Sequence, residues 1–490
     1  MRIGLHALAC AVVFAATATP ARAHGIGQTF VLPLPLWLWL TGAAASIVLT
    51  FAVLVFLRAP TAGRGSSHVW PSLPQPALTT LRAILLALLA FVTLAGFIGA
   101  QDAYGNVLPV FVWVLWWVGF AMVAALIGDV WHALNPFRTL YRALTLLVPS
   151  IGLRPRSYPA WLGAWPAVAI FLLFAWAELV WEGNDSPRNL ATAIVAYTAF
   201  TRAALATFGP ALWLQRGEAF SIAFSVFGRF APIQAAGQAT TGEGVGGGRG
   251  GELRVRWWGA GLLSGEAVSV SFLVFVLAML ATVTYDGFLE TPAFVAILNA
   301  VYESQNLFDV LYSLVDWTGL SDLHLLETFA LLCAPLLFVA AYALTAVAMR
   351  GLAASAGGPR LSVRAVATAF VLSLVPIAVA YHLSHYFVLL LTAGQSVIVF
   401  VSDPMGWGWD LFGTRDYVEN FSIVNPYVFW YTAATLIVVG HVLAVYVAHV
   451  IALRLFATAR AAWLSQLPMM ALMIAYTVSS LWIMAQPMVG

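Results

Sequence analysis

Residues 381–387 read YHLSHYF inside an otherwise apolar stretch. His382 and His385 stand three apart, so on a helix they share one face. Ionisable groups inside apolar spans are costly and mark function. Imidazole suits zinc, copper, iron and nickel. A third imidazole comes from the start of the chain. Ala21-Arg22-Ala23 is a small-x-small cleavage signal, and cutting after Ala23 leaves His24 as the first residue. A terminal histidine offers its α-amino nitrogen and a ring nitrogen together. The expected chemistry is a divalent transition-metal site, zinc or copper, with His24, His382 and His385 as ligands. A metal lowers the pKa of bound water from about 15.7 to roughly 7. Asp286 or Asp403 is then the catalytic carboxylate that orients this water. The plainer readings are that His24 is an incidental polar lead-in and that the two histidines hydrogen-bond between helices.

The elements that must position these residues are membrane spans. The chain has 490 residues, 62% hydrophobic and only 9% charged, against about 25% charged in soluble domains. Residues 1–23 read as a cleaved signal peptide: Arg2 is the positive start, an apolar core follows, and the cleavage site closes it. The rest, 24–490, reads as one all-α polytopic membrane helix bundle of about ten transmembrane helices. The apolar segments are 35–57, 80–100, 108–128, 160–181, 190–213, 260–284, 325–349, 366–393, 427–451 and 463–485. Cys10 lies in the leader and Cys333 in an apolar run, so no disulfide framework is expected.

Charge placement orients the bundle. All 22 basic residues are arginine, and seventeen fall in or beside alternate loops around 58–80, 129–159, 214–259, 350–365 and 452–462. Only Arg188 and Arg415 fall in the opposite loops. The positive-inside rule makes the arginine-rich loops cytoplasmic and puts both ends of the mature chain on the opposite, outer side of the membrane. The carboxylates lean to the other side, in long outer loops at 285–323 and 394–426. Loops of that length fold over sites. The stretch TTGEGVGGGRGGE (240–252) is a flexible linker and lacks the Lys-Ser/Thr of a phosphate loop. No nucleic-acid partner is expected. GDVWHALNPFRTLYRAL (128–144) reads as an interfacial amphipathic helix against anionic lipid. Arg202 and Glu266 read as a buried ion pair, and His441 and His449 as packing contacts.

Several segments carry a resemblance. AHGIG before a Pro-flanked first span, GDVWHALNPFR, YDGF, VPIAVAY leading into HYF, GQSVIVFVSDPMGWGWDLFGT and VVGHVLAVYVAH together resemble the bacterial integral-membrane fenitrothion hydrolases. The resemblance runs from about His24 to the last span. It implies hydrolysis of organophosphorus triesters, an aryl phosphorothioate cleaved to a nitrophenol, and a second related membrane subunit as partner. Its motifs touch His24, Asp129, Asn135, Pro136, Asp286, His385, Gln395, Asp403, Pro404, His441 and His449. His382 falls outside the recurring pattern.

A substrate of this kind is an apolar small molecule that enters through the bilayer. Trp407, Trp409, Phe412, Tyr386 and Phe387 are the expected aromatic wall for its aryl group. Two rival readings remain: a copper-handling membrane protein with the same N-terminal metal site, or a structural subunit of a larger complex. Copper transport calls for methionine or cysteine pairs across the membrane. The ten methionines form no such path, and Met469, Met470 and Met473 read as packing.

Overall fold

The computed structural model describes residues 33–56, 68–71, 73–148, 156–235, 252–265 and 268–486. The leader, His24, Glu266 and most of the glycine-rich linker lie outside the described residues.

Among the described residues, ten helices are long and apolar enough to cross a membrane. They are α1 (Leu36–Val55), α2 (Gln75–Ile98), α3 (Val107–Leu126), α5 (Ala160–Leu179), α6 (Pro187–Phe208), α9 (Val270–Leu289), α12 (Asp322–Ser355), α13 (Val363–Ser402), α14 (Pro426–Leu455) and α15 (Ala459–Met484). Such helices satisfy every backbone group internally, which the bilayer core demands. Alternation along the chain gives the bundle an arginine-rich side and an acidic side. α4 (Pro136–Leu147) runs on the arginine-rich side. α10 (Pro292–Glu303) and α11 (Gln305–Thr318) fill the long loop on the acidic side.

The region after Phe208 departs from the expected loop. Gly209, at φ +79°, ends α6. α7 (Pro210–Arg216) then turns back along α6, where Trp213 stacks on Phe208 and meets Phe200 edge-on. α8 (Ala219–Phe230) returns, with ten of its twelve residues buried. The two form a re-entrant hairpin. Its tip is backbone inside the bundle, and such backbone needs protein partners. Glu218 supplies them: its carboxylate accepts the amides of Phe220 (3.1 Å) and Ser221 (2.7 Å) and the hydroxyl of Tyr197. A largely apolar helix of twelve residues is too short to span and long enough to re-enter.

Beneath the hairpin lies a small antiparallel sheet in the order β1-β3-β2, formed by His68–Pro71, Glu252–Val255 and Ile233–Ala235. Strands of three and four residues are too short to show a period-2 pattern in the sequence.

Packing between helices relies on close approach, since lipid tails are as apolar as the helix faces. The pair that positions the histidines shows this. A Cβ on Gly440 of α14 would sit 2.3 Å from the Ala380 Cβ and 2.8 Å from the Pro376 carbonyl of α13. Pro376 lacks an amide hydrogen, and the turn before it, Val371–Leu374, is 3₁₀. This break sets the direction of Val375–Thr392, the helical stretch that carries both histidines.

α3 contains a π-helical stretch, Phe111–Gly119. π-turns widen a helix and recur at functional sites. Here Trp113 and Trp116 line one cavity while Trp117 lines another.

Candidate functional site

The polar residues near the acidic ends of α5, α9 and α13 converge. Asp286 lies in the last turn of α9. Its Oδ2 is 3.0 Å from His385 Nε2 and accepts the hydroxyl of Tyr386 at 2.7 Å. Tyr381 lies parallel to the His385 ring, centroids 5.9 Å apart and planes 8° apart. Gly287 lets α9 sit close to its neighbours, because a Cβ there would lie 2.9 Å from Ile483 Cγ2 of α15 and 3.3 Å from Tyr381 Oη. Thr284, half a turn before Asp286, bonds Tyr476 Oη at 2.8 Å and ties α9 to α15.

Glu290, the residue capping α9, is within electrostatic reach of both Asp286 and His385. Burial, and then the charge of Asp286, pushes its carboxyl up to about 7, while His385 opposes the shift. Tyr285 Oη donates to the Glu327 carbonyl at 2.8 Å and anchors α9 to α12.

The geometry assigns proton positions. A carboxylate that accepts from Tyr386 accepts from His385 as well, so the Nε2 of a neutral His385 carries hydrogen and its Nδ1 holds the lone pair. The His385 side chain is 21% exposed. Its Nδ1 has no protein partner among the described residues. A basic nitrogen, oriented from behind by a carboxylate and reachable from outside, can take a proton from water.

His382 is turned elsewhere. Its ring meets Trp117 (5.8 Å), Phe227 (5.4 Å) and Tyr386 (4.8 Å). It lines a small cavity with Glu178, Tyr386 and Phe174, large enough to seat one water. The Nε2 of His382 and the indole nitrogen of Trp117 are buried without a hydrogen-bond partner among the described residues. Three residues of spacing give the two histidines a common face, but the neighbours of α13 divide it between α9 and α3.

Asp403 is used by its own loop. Its carboxylate accepts the amides of Trp407 at 2.9 Å and Gly408 at 2.7 Å. Gly406 and Gly408 there have φ of +65° and +87°, values that suit glycine. Trp407, Trp409 and Phe412 lie exposed on this loop, and Phe387 stacks on Phe429. The expected aromatic wall is therefore dispersed, with Tyr386 alone at the Asp286 group.

The remaining polar residues stand as follows. His324 bonds Ser321 Oγ at 2.6 Å and reaches Glu182 at 3.4 Å. His441 Nδ1 is 2.8 Å from the Ile437 carbonyl of its own helix, and His449 Nδ1 is 3.2 Å from Gln466 Oε1. Arg202 lies over the Tyr141 ring at 4.9 Å. Its expected partner, Glu266, is outside the described residues.

The zinc or copper ion was expected on His24, His382 and His385. No three His, Cys, Asp or Glu side chains among the described residues are grouped to hold a metal. His385 and Asp286 face each other directly, and His24 is outside the described residues. Two donors bonded to one another do not make a transition-metal site, so the described residues do not by themselves fit the ion, and no step below is routed through one.

Sequence reasoning placed Tyr386 in a substrate wall and passed over Glu290. Both carry a legible signal. Tyr386 adjoins His385, and YDGFLE puts Glu290 four residues after Asp286, on the same helical face.

No protein-family model, no curated protein and no solved structure matches the chain.

Proposed function

We propose that the chain is a membrane-embedded hydrolase in which Asp286 and His385 activate water. The observation that carries this reading is the shared Asp286 oxygen, 3.0 Å from His385 Nε2 and 2.7 Å from Tyr386 Oη, at the acidic end of the bundle. Asp286 fixes the ring and its tautomer. Tyr386 holds the carboxylate in place. His385 Nδ1 accepts a proton as the water oxygen attacks.

The substrate class this supports is an apolar organophosphorus triester, as the resemblance implies. The water oxygen forms a bond to phosphorus and the bond from phosphorus to the aryloxide breaks. One water proton goes to His385, and the aryl group leaves as a nitrophenolate. Such a leaving group is stable as an anion, so no strong general acid is required.

The test is nitrophenolate release from a fenitrothion-type phosphorothioate by detergent-purified protein. Turnover by the wild type, lost in His385→Ala while the helical circular dichroism is retained, supports the reading. Wild type that releases no nitrophenolate, or a His385→Ala variant that keeps full turnover, overturns it. Metal analysis of the same sample asks separately whether zinc or copper accompanies the chain.

A further inference from the structure

A second cavity lies on the flank of the bundle that α2, α3, α5, α6 and α8 enclose. It holds about 1470 Å³ of unfilled space, counting its mouth. Its walls are hydrocarbon and aromatic ring, among them Leu88, Trp116, Phe137, Phe174 and Ile194. α5 and α6 are consecutive in the chain yet scarcely touch. The cavity therefore opens sideways between them, past Ala193 and past Leu173, which is 64% exposed. Water gains nothing in such a space. A void leaves its lining without dispersion partners. A hydrocarbon chain from the bilayer satisfies both conditions.

The floor of the cavity, on the arginine-rich side, is Trp131, Pro136 and Phe137. Directly beyond it stand three arginines. Arg138 follows Phe137, Arg142 is one turn further along α4, and Arg82 is one turn below Leu85 on α2. Arg82 is held by a 2.7 Å bond from its Nε to the Ala133 carbonyl. None of the three forms an ion pair with a carboxylate among the described residues. Arg138 Nε is buried without a hydrogen-bond partner there. Burial, then the like charges of Arg142 and Arg82, push the Arg138 guanidinium down to about 10, with Asp129 opposing. The same surroundings push His132 down to about 4 and keep it neutral. Crowded arginines are relieved by an anion. The arginines do not line the slot, but they adjoin its floor residues, so an anion that carries a hydrocarbon chain can set its charge on them and its chain in the slot.

We infer that this cavity and the arginines at its floor bind an anionic phospholipid from the leaflet on the arginine-rich side, with one acyl chain between α5 and α6 and the phosphate on Arg82, Arg138 and Arg142. The site is far from the Asp286 group in chemistry and does not depend on the hydrolase reading. Phe174 lines both this cavity and the small one beside His382, so an occupying chain would lie against the wall that the two share.

The test is native mass spectrometry of the purified chain, exchanged in parallel against phosphatidylglycerol and phosphatidylcholine. The expected result is one retained phosphatidylglycerol and weaker retention of phosphatidylcholine. Each of Arg82→Gln and Arg138→Gln lowers the preference by roughly five-fold, and Arg350→Gln, elsewhere on the same side, leaves it unchanged. Ala193→Trp fills the mouth and lowers retention of both lipids, with helical circular dichroism intact. Equal retention of the two lipids by the wild type overturns the inference and requires no variant. So does a preference that survives the double arginine substitution. Retention unchanged by Ala193→Trp would place the chain outside the cavity and overturn that part directly.

Discussion

The two ends of this bundle handle charge in opposite ways. At the acidic end, His385 and Tyr386 both close on Asp286, at 3.0 and 2.7 Å. At the arginine-rich end, Arg82, Arg138 and Arg142 crowd together with no carboxylate in ion-pair contact among the described residues. A closed group fixes orientations and suits proton transfer. An open cluster waits for an anion and suits docking. The same contrast separates two aspartates on the acidic side: Asp286 is held by side chains from another helix, and Asp403 by amides of its own loop.

The largest effect that tests this contrast is in turnover. Replacing His385 with Ala should lower nitrophenolate release by about 10²- to 10⁴-fold, the range for loss of a general base. His382→Ala should leave a larger share of the rate, since its ring faces Trp117 and Phe227. Equal losses from both substitutions would erase the division between the two histidines.

Asp286→Asn should cost about ten- to a hundred-fold in turnover, since a hydrogen bond to a charged group contributes about 1.5–3 kcal/mol. Asp403→Asn should leave turnover within about two-fold and lower stability by about 1 kcal/mol, through its loop amides. The measurement is nitrophenolate release beside thermal unfolding of each variant. A greater loss of turnover in Asp403→Asn than in Asp286→Asn would reverse the assignment.

Tyr386→Phe removes one donor from the Asp286 oxygen and should destabilise the chain by about 1.5 kcal/mol, read as a lowered unfolding midpoint in detergent. An unchanged midpoint would show that Tyr386 does not hold the carboxylate.

The smallest effect concerns Glu290. Its carboxyl is raised to about 7, first by burial and then by Asp286. A carboxyl raised in the folded state stabilises the fold in its neutral form. That contribution is complete below the ordinary value of about 4.3 and is lost as pH rises through about 7. Wild type should therefore unfold at a lower temperature at pH 8 than at pH 5, and Glu290→Gln should flatten that difference. An identical slope in both proteins would remove Glu290 from the acidic-end group.

Much of the fold is legible in the sequence. Long apolar runs and the alternation of arginine-rich loops required a multi-pass helical bundle. The hairpin was not read, although Gly209-Pro210 and Gly217-Glu218 mark its turns and a largely apolar twelve-residue segment follows them. A run of that length suits an interfacial helix as well as a re-entrant one, and only burial on every side decides between them. The sheet was missed because three- and four-residue strands leave too short a pattern to read.

The candidate site divides along the same line. Sequence alone singled out Asp286, His382, His385 and Asp403 as residue types able to do chemistry, and their order along the spans puts them toward one end of the bundle. Spacing fixes the angle of a side chain around its own helix and its height along it. It does not fix which neighbour waits at that angle. That choice fell to the tertiary structure, where α13 packs closely on Gly440 of α14 and, in that setting, His385 meets Asp286 while His382 meets Trp117.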